Sequence, residues 1–397
     1  MTSNEAVIVA GARTAIGTAY KGSLADTDAL DLATQAIAEA VRRSGIEPGL
    51  VDDVVLGESL YGGGDIARYA AVEAGLVSAP GLAHNRHCAS GLATLSTAAA
   101  SVMAGMDRVV VAGGVQSSST MPVTSRRVPG TDTVEEDWLA PSHRETPDAP
   151  IRDMTLSIGW TTAVKAGISR EDMDAWAFRS HMRAVAGIDN GSFAQETFPV
   201  EVTKRDGSRF TFATDEHPRR TSTREKLASL KPLHPEIEGF SITAGNSAGV
   251  NDGAAAVVVT SRPFAAERGL EPLAVVRAWA SVGVGVADSG FAPGLAIPKA
   301  LDRAGLTLGD IDLWEINEAF ASVPIATTRE LGLDEETVNV LGSGCSLGHP
   351  VAMTGTRMVL TLIHELRRRG GGTAVAAMCA GGGMGSALVL EVPAPRD

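Results

Sequence analysis

The sequence has little cysteine, no excess of basic residues and no long apolar run. Three widely spaced cysteines in 397 residues argue against a disulfide framework and indicate a reducing compartment. A net charge of −13 argues against a nucleic-acid partner, which would need a basic surface. No uncharged apolar run is long enough to cross a bilayer, and residues 1–6 lack the pattern of a signal peptide. We therefore expect a cytoplasmic protein with neither a nucleic-acid nor a membrane partner.

What the chain does have is the composition of a globular protein. Hydrophobic residues make up 44% of it and charged residues 20%. Its length predicts roughly two or three domains. Glycine is abundant, at 44 residues, and many of these glycines fall between predicted strands and helices.

One segment, 201–231, is locally basic. Most of its basic side chains are expected to form a solvated surface, although one or two contacting a phosphate would suffice to bind a single anionic ligand. The eight basic residues stand against five acidic ones and are Lys204, Arg205, Arg209, Arg219, Arg220, Arg224, Lys226 and Lys231.

Strands and helices alternate near the start of the chain. Residues 7–10 form a short apolar run typical of a buried strand, 28–45 carry an amphipathic helical pattern ending at a glycine, and 51–56 read as a second strand. Such alternation predicts an α/β fold with a mostly parallel sheet covered on both faces.

An internal repeat indicates that this fold is duplicated. Residues 36–60 align without gaps to 296–320, with eight identical positions in the 25-residue window. The same offset of 260 carries Cys88 to Gly348, next to His349. A duplicated domain packs its halves about a pseudo-twofold axis, so we expect these two turns to meet at the shared interface.

The region between the two halves has a different character. Residues 117–153 are rich in proline, serine, threonine and charge, Ser169 begins a helix-capping pattern, and 243–253 are rich in glycine, alanine and asparagine. We interpret this middle region as an insertion into the first half that carries much of the ligand contact.

Cys88 is the leading candidate nucleophile. It lies in Asn-Arg-His-Cys-Ala-Ser-Gly at 85–91, before a helix whose apolar face is Leu92, Leu95, Ala99 and Val102. A helix N-terminus favours the thiolate and is expected to lower the pKa of the thiol. The alternative is that Cys88 is a small buried hydrophobe, as most single cysteines are.

Cys379 follows an apolar run and opens Cys-Ala-Gly-Gly-Gly-Met-Gly at 379–385. Its glycines permit positive φ and leave amides, including that of Gly381, free to point at an oxyanion. Cys345 is interpreted as a small side chain packed under a loop. His84 and His87 flank Cys88, but metal-ligand spacing is absent, so no metal site is expected.

Two further residues complete the candidate constellation. His349, in Gly-His-Pro at 348–350, precedes a helix, and Asn317, in Asn-Glu-Ala-Phe at 317–320, follows a predicted strand at 311–316. Each alone is consistent with an ordinary turn residue. Two thiols, an imidazole and an amide beside glycine-rich turns are typical of acyl transfer through a thioester.

With these motifs the chain resembles the thiolases, the acetyl-CoA acetyltransferase and 3-ketoacyl-CoA thiolase family, over essentially its whole length. The remaining motifs are Arg-Thr at 13–14, Thr-Ala-Gly-Asn at 243–246 and Asn-Asp-Gly-Ala at 251–254. The resemblance implies the thiolase fold: two duplicated α/β halves in a five-layer arrangement with an inserted loop domain. It further implies a homodimer or homotetramer.

The resemblance also implies residue roles. Cys88 would carry the acyl group, His349 would activate it, and Cys379 would move a proton to or from the α-carbon of the second acyl-CoA. Asn317, through a water, would act with His349 on the enolate oxygen, and the amides of Cys88 and Gly381 would form the second oxyanion site. Acyl-CoA and coenzyme A would be substrates and products, with no other cofactor.

For domain boundaries, the resemblance implies a first half at 1–117 and 248–268, a loop domain at 118–247 and a second half at 269–397. The loop domain would bind coenzyme A. The coenzyme A contacts implied are Arg220, Leu230, Ser247 and Ala248.

Three stretches depart from the family pattern. Gln116 stands where the family often has glutamate. The family has a serine after Asn-Ala, whereas here the serine, Ser247, directly follows the asparagine. The histidine loop at 342–352 contains Cys345 and ends in alanine at Ala352. These departures concern the pocket and the coenzyme A contacts. A specialised substrate is therefore expected.

Two rival functions remain at this point. A decarboxylating ketoacyl synthase of the same superfamily would use one cysteine with two histidines, or histidine and asparagine, and Cys379 argues against it. A non-catalytic acyl-CoA-binding or partner subunit would have no need to keep Cys88, Asn317, His349 and Cys379 together. A thiolase that makes or cleaves a 3-oxoacyl-CoA is the leading interpretation.

Overall fold

The computed structural model describes residues 4–61 and 64–395. Residues 1–3 and 396–397, the outer ends of the two predicted halves, lie outside the described residues, as do 62 and 63. The strands are β1 (Ala6–Thr14), β2 (Gly17–Thr18), β3 (Asp53–Gly57), β4 (Gly81–His84), β5 (Val109–Gln116), β6 (Arg126–Arg127), β7 (Val134–Glu135), β8 (Thr197–Phe198), β9 (Val200–Thr203), β10 (Arg209–Phe212), β11 (Asn251–Ser261), β12 (Ala274–Gly283), β13 (Leu313–Ile316), β14 (Gly372–Ala380) and β15 (Met384–Val392).

The α-helices alternate with these strands. They are α1 (Ala29–Ser44), α2 (Ile66–Glu73), α3 (Ser90–Ala104), α4 (Thr161–Lys165), α5 (Arg170–Asp189), α6 (Arg224–Ala228), α7 (Arg262–Glu267), α8 (Ala292–Ala304), α9 (Ser322–Leu331), α10 (Gly344–Leu347) and α11 (Thr354–Arg369). Short 3₁₀ helices span Pro48–Leu50, Val286–Phe291, Leu308–Asp310 and Glu335–Thr337, and a π-helix spans Thr155–Trp160.

The main sheet runs in the order β13-β14-β15-β12-β1-β11-β5-β3-β4, and its two halves join where β1 pairs with β12. The expectation of a mostly parallel sheet was wrong, because the sheet is mixed. Pairs β3–β4, β3–β5 and β13–β14 are parallel, but β1–β11, β11–β5, β12–β15 and β14–β15 are antiparallel. A tight glycine turn joins β14 to β15 as a hairpin, and a two-strand hairpin is necessarily antiparallel.

Three apolar clusters build the five layers. One lies between the two halves of the sheet, around α3 and α11, and includes Leu95 and Leu362. A second covers the outer face of the first half with α1 and α2, and a third covers the outer face of the second half with α8 and α9. Helices α3 and α11 are therefore enclosed by sheet, while the outer helices α1 and α8 each have one face toward solvent.

The predicted duplication is confirmed in the backbone. In the first copy, helix α1 is followed by the 3₁₀ turn Pro48–Leu50 and strand β3; in the second, α8 is followed by Leu308–Asp310 and β13. Both helices end at a left-handed glycine, Gly45 and Gly305, with φ of 67° and 69°. The two copies keep the same element order and the same cap.

The two central helices approach each other at their N-terminal ends. A Cβ at Gly91 would lie 2.8 Å from the backbone nitrogen of Thr356, and one at Gly355 would lie 2.5 Å from that of Leu92. Both glycines are required by this close approach. The turns that precede α3 and α11 are thereby brought side by side, as the repeat predicted.

The middle region is fastened to the first half by a buried charge cluster. The guanidinium of Arg13, on β1, donates to Glu196 at 2.6 Å and to Asp215 at 2.7 Å. Ser169 and Asp172 form the predicted capping box of α5. The boundaries of the loop domain, 118–247, stay a prediction.

Candidate active site

The turn that carries Cys88 connects β4 to α3 and is held by its own polar side chains. Asn85 Oδ1 accepts from the backbone nitrogen of His87 at 2.9 Å. Ser90 Oγ accepts from the nitrogen of Arg86 at 2.8 Å and donates to the carbonyl of His87 at 2.7 Å. These three hydrogen bonds explain why asparagine and serine flank the cysteine in this motif.

His87 adopts a left-handed backbone conformation directly before Cys88, with φ of 48°. A non-glycine residue there is strained by on the order of 1 kcal/mol, and such strain is concentrated at functional sites. Sequence reasoning did not single out this backbone role of His87.

The sulfur of Cys88 faces two backbone amides, those of Gly381 and of Cys88 itself. The residue is partly exposed. Burial of the sulfur raises the pKa of the thiol, and the two amides only partly offset that effect. The expected lowering of this pKa by the helix N-terminus was therefore wrong for the free protein: α3 begins only at Ser90, and desolvation outweighs the amides.

Cys379 lies near the end of β14 and is fully buried. Burial raises the pKa of its thiol, and the neighbouring Cys88 raises it further. The influence of Cys88 on this pKa indicates that the two sulfurs lie within electrostatic reach of each other. Cys379 is consequently a neutral thiol at physiological pH.

The turn that carries His349 depends on Gly348 and Asn251. Gly348 has φ of 100°, and a Cβ there would collide with the side chain of Asn251. Asn251 Oδ1 accepts from the backbone nitrogen of His349 at 3.0 Å, and its Nδ2 donates to the carbonyl of Gly17 at 3.0 Å. The Asn-Asp-Gly-Ala motif thus orients the histidine loop.

The imidazole of His349 is neutral, with one preferred tautomer. Burial, together with the positive charge of Arg357, lowers its pKa to about 3. The hydroxyl of Thr354 donates to the carbonyl of Pro350 at 2.9 Å, so its oxygen is left to accept from Nδ1 of His349, at 2.7 Å. Because Nδ1 carries the proton, Nε2 has a free lone pair and can act as a base.

Asn317 presents its side chain to that lone pair. Its Nδ2 lies 3.4 Å from Nε2 of His349, and its Oδ1 is buried with no hydrogen-bond partner among the described residues. Asn317 directly follows β13, and its backbone nitrogen donates to Ala377 on β14 at 2.9 Å. It therefore lies at the same sheet edge as Cys379.

The cysteine and histidine turns also touch through the backbone of Ala352. A Cβ placed at Gly91 or at Gly57 would lie 2.9 or 3.1 Å from the carbonyl oxygen of Ala352. The turns of Cys88 and His349 thus adjoin each other, and Asn317 and Cys379 lie at the ends of the neighbouring strands β13 and β14. The amide of Gly381 completes the group.

Met154 forms a wall of the site that sequence reasoning missed. Its sulfur lies 3.7 Å from the position that a Cβ at Gly381 would take, and the ring of His87 lies 3.9 Å from that position. Met154 immediately precedes the π-helix, a form that often occurs at functional sites. The only sequence signal was its place in the predicted insertion.

Cys345 packs beneath the histidine loop, as predicted. It is 1% exposed, and its backbone nitrogen donates to Glu318 Oε2 at 3.1 Å. The buried carboxylate of Glu318 also accepts from Trp176, Ser180 and Asn339 at 2.6–2.9 Å. This network fixes the loop without placing a third thiol in the site.

Of the residues predicted to contact coenzyme A, the structure places Ser247 and Ala248 beside the Asn317 turn. Ala248 donates its backbone N–H to the carbonyl of Ala319 at 2.9 Å, and Ser247 donates its hydroxyl to Thr243. Leu230 is 38% exposed and lies against Gly245. Arg220 lies on the surface, paired with Asp189 at 2.6 Å.

The departures from the family pattern fall in and near this region. Gln116 is buried at the end of β5, and neither its oxygen nor its nitrogen has a partner among the described residues. Ala352 contributes the carbonyl that contacts both Gly57 and Gly91.

Two features are absent from the described residues. They contain no group of three or more histidine, cysteine, aspartate or glutamate side chains placed to hold a metal ion. Within residues 4–61 and 64–395, no helix combines the length and apolar character needed to cross a membrane.

Comparison with known families decides the affiliation of the chain. Residues 6–263 match the model of the thiolase N-terminal domain, and residues 270–392 match that of the thiolase C-terminal domain. The chain belongs to the thiolase family. Being a thiolase, it is an enzyme that transfers acyl groups.

Relatives of known name support this over the full length. A 3-ketoacyl-CoA thiolase of Bacillus subtilis is 42% identical, covering 98% of this chain and 99% of its own. An acetyl-CoA acetyltransferase of Pseudomonas aeruginosa is 41% identical, covering 97% of this chain and 99% of its own.

Solved structures agree with the fold of this thiolase. The crystal structure of the Bacillus anthracis acetyl-CoA acetyltransferase is 38% identical and superposes with a TM-score of 0.89, covering 98% of this chain and 99% of its own. Human mitochondrial 3-ketoacyl-CoA thiolase is 34% identical, with a TM-score of 0.87 and coverage of 99% and 100%. The predicted thiolase fold is confirmed.

Proposed function

We propose that this thiolase makes or cleaves a 3-oxoacyl-CoA through an acyl group carried on Cys88. One observation carries the proposal: the amides of Gly381 and Cys88 face the sulfur of Cys88, beside the neutral thiol of Cys379. A nucleophile next to an oxyanion site and a proton carrier is the arrangement that this reaction needs, which supports the proposal.

In the cleavage direction, Nε2 of His349 takes the proton from Cys88. The resulting thiolate attacks the 3-oxo carbon, and the amides of Cys88 and Gly381 donate to the developing oxyanion. Because burial raises the pKa of Cys88, the thiolate needs a neighbouring base. The neutral imidazole of His349, with Nδ1 held by Thr354, suits that role.

The bond between carbons 2 and 3 then breaks, leaving an acyl group on Cys88 and the enolate of acetyl-CoA. Cys379 donates its thiol proton to carbon 2, which completes acetyl-CoA and leaves a thiolate. Its raised pKa supports the acid role, since the thiol enters this step protonated. In the condensation direction the same sulfur removes that proton.

Coenzyme A completes the cycle. Its thiol gives a proton to the Cys379 thiolate and its sulfur attacks the acyl group, while the departing Cys88 sulfur recovers its proton from His349. Acyl-enzyme formation and transfer are separate steps, so ping-pong kinetics are expected. All proton transfers use groups of the chain or of coenzyme A, and no further cofactor is proposed.

The enolate oxygen would be bound by His349 and Asn317, and not by the amides that bind the first oxyanion. Nε2 of His349, once protonated, is a donor, and Asn317 would hold a water that donates alongside it. The unpartnered Oδ1 of Asn317 supports this assignment, because a buried acceptor without a partner is a suitable place for a bridging water.

For coenzyme A, the segment 245–248 supports a binding role because it pairs with the backbone that follows Asn317. Ser247, Ala248 and Leu230 are proposed contacts on that side. Arg220 is the proposed phosphate contact, supported by its exposed guanidinium, which would have to exchange Asp189 for the phosphate.

We also propose a homo-oligomer formed through β4. This strand is the edge of the main sheet, and an exposed edge is a template for pairing with a second copy. Apolar side chains surround it at Leu82, Tyr69, Val72 and Val77, which are 37–67% exposed. A dimer or tetramer is accordingly proposed, and three free thiols support a cytoplasmic location.

The direct test is mass spectrometry after incubation with acetyl-CoA. The wild type should gain one acetyl group, mapped to Cys88, and Cys88→Ala should gain none. Cys345→Ala is the matched control and should be labelled like the wild type. An unlabelled wild type, or an acetyl group that persists in Cys88→Ala, would contradict the proposal.

A further inference from the structure

His234 is a surface histidine whose hydrogen-bond partners are two carboxylates. Its Nε2 lies 2.7 Å from Asp153 Oδ2 and its Nδ1 lies 2.8 Å from Glu236 Oε1. A carboxylate only accepts, so both ring nitrogens must donate for both bonds to exist. The geometry therefore requires the protonated imidazolium form of His234.

These two bonds join separate segments of the chain. His234 and Glu236 belong to the loop 230–242, which is closed by a hydrogen bond from the nitrogen of Leu233 to the carbonyl of Ile242 at 2.9 Å. Asp153 is on the other side and begins the turn into the π-helix, where its Oδ1 accepts from Thr155 at 3.0 Å. Protonated His234 thus fastens the loop to the start of the π-helix.

Aromatic packing continues the same contact inward. The ring of His234 meets Phe240 edge-on, with centroids 4.9 Å apart, and Phe240 packs against Trp160 at 5.1 Å. Ile242, at the end of the loop, and Phe320, three residues after Asn317, both lie against Gly159 of the π-helix. The loop and the π-helix therefore share one packed layer beside the reaction site.

Asp153 is next to Met154, the wall of the Cys88 pocket. Met154 lies against Gly381, whose amide is directed at the Cys88 sulfur, so the start of the π-helix borders the wall of the pocket. Leu230, at the other end of the loop, lies against Gly245. Asp153, at the start of the π-helix, and Leu230, at the start of the loop, thus both border the region proposed to bind acyl-CoA.

We propose that His234 is a positioning residue for the binding of coenzyme A and its esters. While protonated, it holds the loop 230–242 against Asp153 and Met154, and in this arrangement the region binds coenzyme A with its higher affinity. The proposal rests on the thiolase function proposed above. His234 touches no reacting group, so it acts on affinity and leaves the chemical step unchanged.

The charge environment sets the direction of the pH effect. The carboxylates of Glu236 and Asp153 raise the pKa of His234 above its usual value, and they are the charged groups facing it within the described residues. As pH rises through that raised pKa, the proton is lost and one of the two bonds breaks. Binding should therefore be tight at low pH and weaken as pH rises.

The test is calorimetric titration with coenzyme A between pH 6 and 9. For the wild type we expect Kd to rise roughly three- to tenfold across one titration step, the range of one partly exposed charged hydrogen bond. In His234→Gln the step should vanish, with Kd at the high-pH value throughout. The kcat of acyl transfer should be unchanged in this variant.

A second pair of variants separates positioning from general damage. Glu236→Gln removes one carboxylate, so the midpoint of the step should move to lower pH, a shift that loss of structure would not produce. Glu238→Gln changes an exposed carboxylate of the same loop and is the matched control, with an unchanged profile expected.

The failure modes are distinct. If the wild type neither binds coenzyme A nor acquires an acetyl group at any pH, the proposed function is wrong. If binding is normal but His234→Gln keeps the wild-type step, or Glu236→Gln leaves its midpoint in place, only the role of His234 is overturned.

Discussion

The side-chain nitrogen of Asn317 lies 3.4 Å from Nε2 of His349, although the two residues follow different elements of the second half. Nδ1 of the same imidazole is held by Thr354. The ring is therefore fixed between an amide on one side and a hydroxyl on the other, with its basic nitrogen facing the site. Such double fixation is what a base needs in order to keep one tautomer.

Removing the Thr354 hydroxyl should loosen that fixation. Thr354→Val keeps the shape of the side chain but leaves Nδ1–H of His349 without its acceptor, so we expect kcat to fall roughly ten- to hundredfold. Steady-state kinetics of acyl transfer give the kcat of each variant. Thr327→Val, a buried threonine whose hydroxyl bonds only within α9, is the control. Equal kcat values for the two variants would contradict the tautomer assignment.

Cys379→Ser should separate the two half-reactions. The hydroxyl is a much poorer proton carrier than the thiol, so condensation should fall by roughly 10³-fold or more. Acetylation of Cys88 does not need that proton and should persist, as measured by mass spectrometry. Full condensation by this variant would show that another group moves the proton.

The three thiols should differ in reactivity with iodoacetamide. Cys88 is partly exposed, whereas Cys345 and Cys379 are 1% and 0% exposed, so peptide mapping should find Cys88 modified first. Because burial raises the pKa of the Cys88 thiol above its usual range, the rate of modification should still be increasing at about pH 9. First modification at Cys345 would be incompatible with the burial described here.

Substitution by alanine should have a small effect on stability at one glycine of the 381–383 turn and a large effect at another. The nearest atoms to a Cβ at Gly381 are 3.7–3.9 Å away, so Gly381→Ala should change stability by less than about 1 kcal/mol. Gly383 has φ of 78° and its Cβ would meet the carbonyl of Val284, so Gly383→Ala should destabilise by about 2 kcal/mol or more. Urea denaturation compares them, and equal losses would count against the turn geometry.

Acid should destabilise the fold through buried neutral histidines. Burial lowers the pKa of His349 to about 3 and those of His181 and His364 to about 4. An unfolded chain protonates histidine near pH 6.5, so stability is present above that pH and is lost as pH falls toward 4.

At pH 5 the loss should be about 2 kcal/mol for each of these histidines. Urea denaturation at pH 7.5 and pH 5 measures the loss, and His364→Gln should reduce it by about 2 kcal/mol. A protein as stable at pH 5 as at pH 7.5 would contradict the neutral, buried state of these rings.

Much of the candidate site could be predicted from local sequence, because each part is a short motif with a local cause. Asn85 and Ser90 form the Cys88 turn with their own side chains, and Gly45 and Gly305 end equivalent helices. The 260-residue offset between the copies was also visible without a structure, since a duplicated element keeps its turn residues.

Other features depended on distant parts of the chain. The direction of the Cys88 pKa shift could not be read from its motif, because it is decided by how much protein surrounds the sulfur. Met154 and His234 carry no motif and matter only because Gly381 and Asp153 lie against them. The sheet is mixed because β1 pairs antiparallel with both β11 and β12, a pairing set by topology.

Local sequence was enough to identify the reacting groups of this thiolase, which are two thiols, one imidazole and one amide, each in or beside a turn with its own short motif. Tertiary structure alone decided how these groups act on one another. Burial and the approach of α3 to α11 set the protonation states of Cys88, His349 and Cys379, because desolvation depends on atoms far away in the sequence.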